Sequence, residues 1–187
     1  MSRVSVIAGL FGLLLWSGPL AAQTSWTPLP DASSIKWQTA WKSNAVRGGF
    51  ERFQAAIRFD PDAPESGAIR VEVDVTSIYL EGQDAQKTLT GPDWFAASDW
   101  PRAVFESTSF RKSDKADYVA DGTLTIRGRS VDVSLPFSLA IRDDGTARAE
   151  GTLTLDRRKF NIGGGMFNDD VTDQVTVTVT LTAQRAE

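Results

Sequence analysis

From Val175 to Ala183 the chain reads VTVTVTLTA, apolar and polar residues in strict alternation. Only a β-strand points successive side chains to opposite faces, so this segment predicts a strand with a valine and leucine face and a threonine face. The same period of two recurs upstream. Ile35, Trp37, Thr39 and Trp41 alternate with Lys36, Gln38 and Ala40. Val46 to Phe59 reads as one long strand whose later half sets Phe53, Ala55, Ile57 and Phe59 on one face. Ile69, Val71, Val73 and Val75 alternate with Arg70, Glu72, Asp74 and Thr76. Ala103 to Arg111, Tyr118 to Ile126, Val131 to Ile141 and Ala147 to Leu155 continue the pattern, with turns at Arg127-Gly128-Arg129 and Asp143-Asp144-Gly145. No comparably long segment has a helical period.

Eight alternating strands with short turns predict an all-β sandwich or barrel. Strands this long leave long edges unless the sheet closes, which favours an eight-stranded antiparallel barrel in one domain. Gly48-Gly49, inside the second strand, predicts a bulge or bend. The alternation fails from Tyr79 to Trp100. There Gly82 to Leu89 predicts a short helix ended by Gly91-Pro92, and Trp94-Phe95 predicts an aromatic loop across one mouth. That loop reads either as a satellite core or as a lid over an apolar ligand.

The N-terminus changes the picture of location. Arg3, the apolar run Val6 to Leu15, the break at Ser17-Gly18-Pro19 and the small residues Ala21-Ala22 predict a secretory signal peptide over residues 1–22. Residues 23–187 then form the mature domain, with the periplasm as its expected compartment. The formal net charge of −4 disfavours nucleic acid, whose phosphates demand a basic patch.

The chain has no cysteine and no histidine. That removes disulfides, Ser-His-Asp and Cys-His nucleophilic sites and the usual zinc and haem ligands. Gly163-Gly164-Gly165 lacks the residues of a nucleotide fingerprint and reads as a turn. The spacing of Asn168, Asp169, Asp170 and Asp173 does not match an EF-hand loop. Arg157-Arg158-Lys159 reads as a solvated strand end. Most acids alternate with apolar residues and so face outward, which argues against a carboxylate enzyme. No catalytic residue, metal or cofactor is expected.

What remains is concave apolar surface. Its candidate lining residues are Phe50, Phe53, Ile57, Trp94, Phe95, Phe105, Leu124, Phe137, Leu139 and Val177. Periodicity alone does not separate a packed core from a pocket. Small residues at inward positions of adjacent strands (Ala120, Gly122, Ala147, Ala149 and Gly151) favour unfilled space.

The ordered elements Gly49-Phe50, Phe59-Asp60-Pro61, Thr76-Ser77-Ile78, Gly91-Pro92-Asp93-Trp94-Phe95, Trp100-Pro101, Val104-Phe105-Glu106-Ser107, Gly122 to Gly128, Leu135-Pro136-Phe137 and Arg158 with Phe160-Asn161-Ile162-Gly163 resemble the YceI-like family of polyisoprenoid-binding periplasmic proteins. The resemblance implies a lipocalin-like barrel with a helix across one end. It implies a cavity for an isoprenoid lipid, either a polyprenyl phosphate or a quinone tail. It further implies contact with a membrane or a membrane b-type cytochrome, and a homodimer. One departure stands out: where relatives carry an acidic residue or histidine followed by Arg-Asp, this chain has Asp84-Ala85-Gln86.

Overall fold

The computed structural model describes residues 24–186. The expected signal peptide over residues 1–22 lies outside them. The elements are β1 (Ser25–Pro28), β2 (Ser34–Trp41), β3 (Asn44–Phe50), β4 (Phe53–Arg58), β5 (Ala68–Asp74), β6 (Ile78–Leu80), α1 (Gln86–Leu89), β7 (Arg102–Lys112), β8 (Tyr118–Ile126), β9 (Arg129–Ile141), β10 (Thr146–Asp156) and β11 (Gln174–Arg185). Strands β1, β4, β5, β7, β8, β9, β10 and β11 form a ring, closed by the antiparallel pairing of β1 with β11. The fold is therefore a closed eight-stranded antiparallel barrel with one short helix.

The alternation sets the register. The β10–β11 ladder runs from Thr146↔Gln184 to Asp156↔Gln174. Along it Val175, Val177, Val179 and Leu181 sit opposite Leu155, Leu153, Gly151 and Ala149, so apolar pairs share the inner face. A slip by one residue would turn every valine outward.

Three staves of the barrel are bent, which the sequence pattern did not foretell. β1 precedes the first expected strand and is separated from β2 by a turn at Pro30–Ala32. The long second strand breaks at Glu51–Arg52 into β3 and β4, and the third breaks at the turn Val75–Ser77. Ser77 ties the last two corners together. It is fully buried, its Oγ accepts from the Arg52 N–H (3.0 Å), and it donates to the Asp74 carbonyl (2.7 Å). Gly48-Gly49 is thus not the bend. A Cβ on Gly48 would lie 2.3 Å from the Trp37 ring and 2.0 Å from the Tyr79 carbonyl oxygen, so the residue serves close approach of β2 and β6.

One end of the barrel is plugged by aromatics. Phe59 meets Phe110 and Tyr118 edge-on at 5.2 and 5.1 Å, and Phe137 stacks on Tyr118 at 5.6 Å. Trp26 of β1 joins this floor and donates its indole N–H to the Phe59 carbonyl (2.9 Å). The other end carries α1 and the turns after it. Trp94 there is packed with Val75, Ala97, Ile126, Phe160 and Ile162 in a second buried cluster. The aromatic loop is consequently a satellite core and a cover at once.

Candidate functional site: an apolar tunnel inside the barrel

Between floor and lid the barrel holds two apolar chambers of ≈ 160 Å³ each and a smaller one of ≈ 40 Å³ at the floor. The two larger chambers share Ile35, Val73, Ala103, Leu124, Leu155 and Val177 as walls. The central and floor chambers share Ile69, Phe137, Ala149 and Leu181. The three therefore follow one another along the barrel as one elongated space. For scale, a dry apolar cavity of about 150 Å³ is enough to take up benzene.

The sequence-predicted residues fall around this space. Phe50, Trp94 and Phe95 line the lid-end chamber, and Phe105 lines the central one. Leu124 and Val177 belong to both. Phe137 lies between centre and floor, and Ile57 and Leu139 line the floor chamber. Phe53, paired with Val73 on the β4–β5 ladder, lines the outer cleft beside the chambers. Of the small inward residues, Ala120 and Ala149 border the central chamber and Ala147 the floor. Gly151 borders the central chamber as well, and both glycines also serve close approach of their neighbours. A Cβ on Gly122 would lie 2.7 Å from the Phe105 ring, and one on Gly151 2.9 Å from Leu135 Cδ1.

A side opening follows from the bent staves. β2 pairs with β3 up to Ile35↔Phe50, and β1 pairs with β4 only at Ser25↔Arg58 and Trp26↔Ile57. The wall between these ladders has no strand pairing. A cleft of ≈ 1040 Å³ lies there, sharing Ile35, Phe50 and Val73 with the inner chambers. Its rim carries Arg52 paired with Asp74 (2.9 Å) and Arg102 paired with Glu72 (3.0 Å). The hydrogen bond from Thr76, then that from Arg52, holds the Asp74 carboxyl below its ordinary range. The hydrogen bond from Arg70 does the same for Glu72.

Two arginines fix the lid end, and sequence reading missed both. Arg127, at a left-handed turn, donates to the carbonyls of Trp94 (2.7 Å), Pro92 (2.9 Å) and Asn161. Arg157 was expected at a solvated strand end, but it is 3% exposed. Its Nε donates to Thr172 O, Nη1 to Ile162 O and Asn168 Oδ1, and Nη2 to Asn168 O and Val171 O. Asp173 lies 3.0 Å away. Burial pushes the guanidinium pKa down while Asp173 pushes it up, and the group stays charged. In the Asp84-Ala85-Gln86 segment, Gln86 Nε2 donates to Thr76 O (2.9 Å) and so ties α1 to the corner at Val75–Ser77.

The sequence profile of the YceI-like domain matches residues 26–183. Among curated relatives, a UPF0312 protein of Pectobacterium carotovorum is 31% identical over 122 residues, and a protein YceI of Escherichia coli is also 31% identical over 122 residues. In both cases the match covers 62% of this chain and 62% of the relative's length. Among solved structures, Burkholderia cenocepacia BcnA superposes with a TM-score of 0.79 at 28% identity, over 84% of this chain and 99% of that one. A domain from Saccharophagus degradans described as polyisoprenoid binding superposes with a TM-score of 0.64 at 11% identity, over 88% of this chain and 99% of that one. At that identity the likeness is one of fold.

Proposed function

The chain belongs to the YceI-like family, and we propose that it is an exported carrier that holds one isoprenoid lipid, a polyprenyl phosphate or a quinone by its tail, inside the barrel. The observation that carries this reading is the pair of linked ≈ 160 Å³ chambers whose walls are almost wholly apolar. An elongated methyl-branched chain matches a series of chambers better than a compact ligand does. Burial of its surface supplies affinity at about 25 cal/mol per Å² with no directional contact needed. Eight strands enclose a space suited to one small ligand. The Saccharophagus domain lends a fold-level analogy, since its description names the same class of ligand. The cleft beside Phe50 and Phe53 is the proposed way in, because floor and lid are both packed.

The reading assigns no catalysis. Carriage rests on walls alone, and it predicts that filling the central chamber abolishes loading without unfolding the barrel. Ala149 borders that chamber, so Ala149→Leu is expected to keep the melting temperature within a few degrees while lipid uptake is lost. Mass spectrometry of organic extracts from both proteins, before and after incubation with an isoprenoid quinone, checks this. Absence of lipid from the unsubstituted protein under both conditions would sink the carrier reading.

A further inference from the structure

The inner space branches where the cleft meets it. Ile35 and Val73 are walls of the central chamber, of the lid-end chamber and of the side cleft alike. The cleft therefore reaches the interior at the junction of the two large chambers and not at an end of the row. From that junction one arm runs under the lid, past Val171 and Val175. The other runs past Val179 and Leu181 toward the aromatic floor. Their opposite sense follows from β11, where Val175 and Leu181 lie on either side of Val177, the wall common to both arms.

The arms are equal, at ≈ 160 Å³ each. The buried cluster around Trp94 and Phe160 closes one, and the rings of Phe59, Phe110 and Phe137 close the other. A dry cavity of about 150 Å³ takes up benzene, so each arm encloses about six carbons of a hydrocarbon chain. One chain entering from the cleft fills one arm and leaves the other without partner atoms.

The rim of the cleft carries charge of both signs. Arg52 pairs with Asp74 and Arg102 with Glu72, and Glu51 adds a further carboxylate. Arg102 stands directly across from Asp74 on the β5–β7 ladder, so cation, carboxylate and cation form one row. Arg102 spends Nη1 on Glu72, and Arg52 spends Nε and Nη2 on Asp74 and Thr76. The N–H groups left over suit a phosphate, and the carboxylates suit an ammonium. A head carrying negative charge alone would meet more carboxylates than guanidinium groups on this lining.

Resting on the reading of the barrel as a lipid carrier, we infer that it takes a second class of cargo: a zwitterionic lipid with two hydrocarbon chains. Its head lies on the Arg52, Asp74 and Arg102 row, one chain runs under the lid and the other runs toward the floor. Isoprenoid and two-chain lipid then compete for the same interior.

The test uses two probes with the same phosphocholine head and the same number of chain carbons, each below its micelle concentration. One is dioctanoyl phosphatidylcholine, and the other is lysophosphatidylcholine with a single palmitoyl chain. The two-chain probe is expected to bind at least tenfold more tightly, since only it fills both arms. Equal affinity, or tighter binding of the single-chain probe, overturns the inference. Val175 borders the lid-end arm and not the central one, so Val175→Phe is expected to abolish the preference while single-chain binding stays within about twofold. A preference that survives the substitution overturns the assignment of that arm. The comparison on the unsubstituted protein stands by itself should the variant not fold. A farnesyl-tailed quinone is the third probe, and the two-chain lipid is expected to displace it; independent binding of both overturns the shared interior. If the quinone loads and the two-chain preference is absent, this inference fails and the carrier reading stands. If none of the three binds, both fall.

Discussion

Arg157 shows how one side chain can gather a loop around itself. Its guanidinium gathers four backbone carbonyls and one side-chain amide oxygen between Asn161 and Asp173, a stretch with three glycines and no strand. Gly163 is shaped to the same end. Its φ is +94°, and a Cβ there would lie 2.0 Å from Arg157 Nη1. Arg157→Met leaves those carbonyls buried and unpaired, so it is expected to cost about 3–5 kcal/mol, read as a fall in melting temperature of about 10 °C or more. Gly163→Ala is expected to cost about 2 kcal/mol through backbone strain and the displaced guanidinium. Because both act on the same contact, the double variant should lose less than the sum in thermal or urea unfolding, and strict additivity would count against this linkage. Neither role was legible beforehand. Arg157 stands in a basic triplet at a strand end, a context in which solvation is the ordinary outcome, and only the return of the chain at Asn168 to Thr172 supplies its acceptors. The apolar lining residues were legible, because alternation assigns each of them to a face without reference to any distant part of the chain. Phe53 keeps the face that alternation gives it, opposite Val73 as Ile57 is opposite Ile69, at the end of β4 that borders the cleft.

At the level of elements, the eight strands followed from period and turns, and the breaks within them did not. β1 reads SWTP, too short and too rich in turn residues to register as alternating, yet its pairing with both β11 and β4 closes the ring. The lid was legible only as a failure of pattern between Tyr79 and Trp100, since its order comes from hydrogen bonds that skip along the chain. Phe95 N–H donates to Leu89 O, Ala96 N–H to Gly91 O and Ala97 N–H to Thr90 O. Arg127 reaches across from the β8–β9 turn to clamp the carbonyls of Pro92 and Trp94. The lid is thus a locally bonded unit that Arg127 ties to the β8–β9 turn, a form expected to open below the global unfolding energy. Arg127→Met should speed hydrogen exchange at the amides of Phe95, Ala96 and Ala97 by about tenfold or more, corresponding to the loss of one or two charged hydrogen bonds. Amides of the β10–β11 ladder should keep their protection. Faster exchange in both places would show that Arg127 supports the barrel as a whole and not the lid.

For the whole molecule, the tunnel has an energetic consequence. Unfilled apolar volume costs about 24 cal/mol per Å³, so each large chamber left empty forgoes about 4 kcal/mol, a large part of the 5–15 kcal/mol by which domains are stable. A ligand that fills the chambers recovers much of that, which makes the barrel's stability a direct readout of loading. pH provides the discriminating variable. With no histidine in the chain, no side chain of ordinary pKa titrates between about pH 5 and 8. The Asp74 carboxyl is held low by Thr76 and Arg52, and the Asp121 carboxyl by Ser134 and Arg111. A carboxyl whose folded pKa is depressed stabilises the fold above its unfolded value near 4, and that stability is lost as pH falls through the folded pKa. Tyr118 behaves in the opposite sense: burial, then the negative charge of Asp117, raises its pKa, so its contribution is complete below about pH 10 and is lost as pH rises beyond it. The ligand-free protein should therefore show a flat melting temperature from pH 5 to 8 with falling limbs outside that range. Asp121→Asn should shrink the acid limb and Tyr118→Phe the alkaline one. The extra stability conferred by a bound neutral quinone should be equally flat, because neither head nor chamber changes charge. A phosphate-headed lipid, whose second pKa lies near 6, would instead make that increment vary across the same interval. Melting curves with each ligand from pH 5 to 8 thus test the flat plateau of the protein and read the charge of the head it carries: a flat increment is expected with a quinone and a step near pH 6 with a polyprenyl phosphate, and a step with the quinone would show that the chamber itself changes charge.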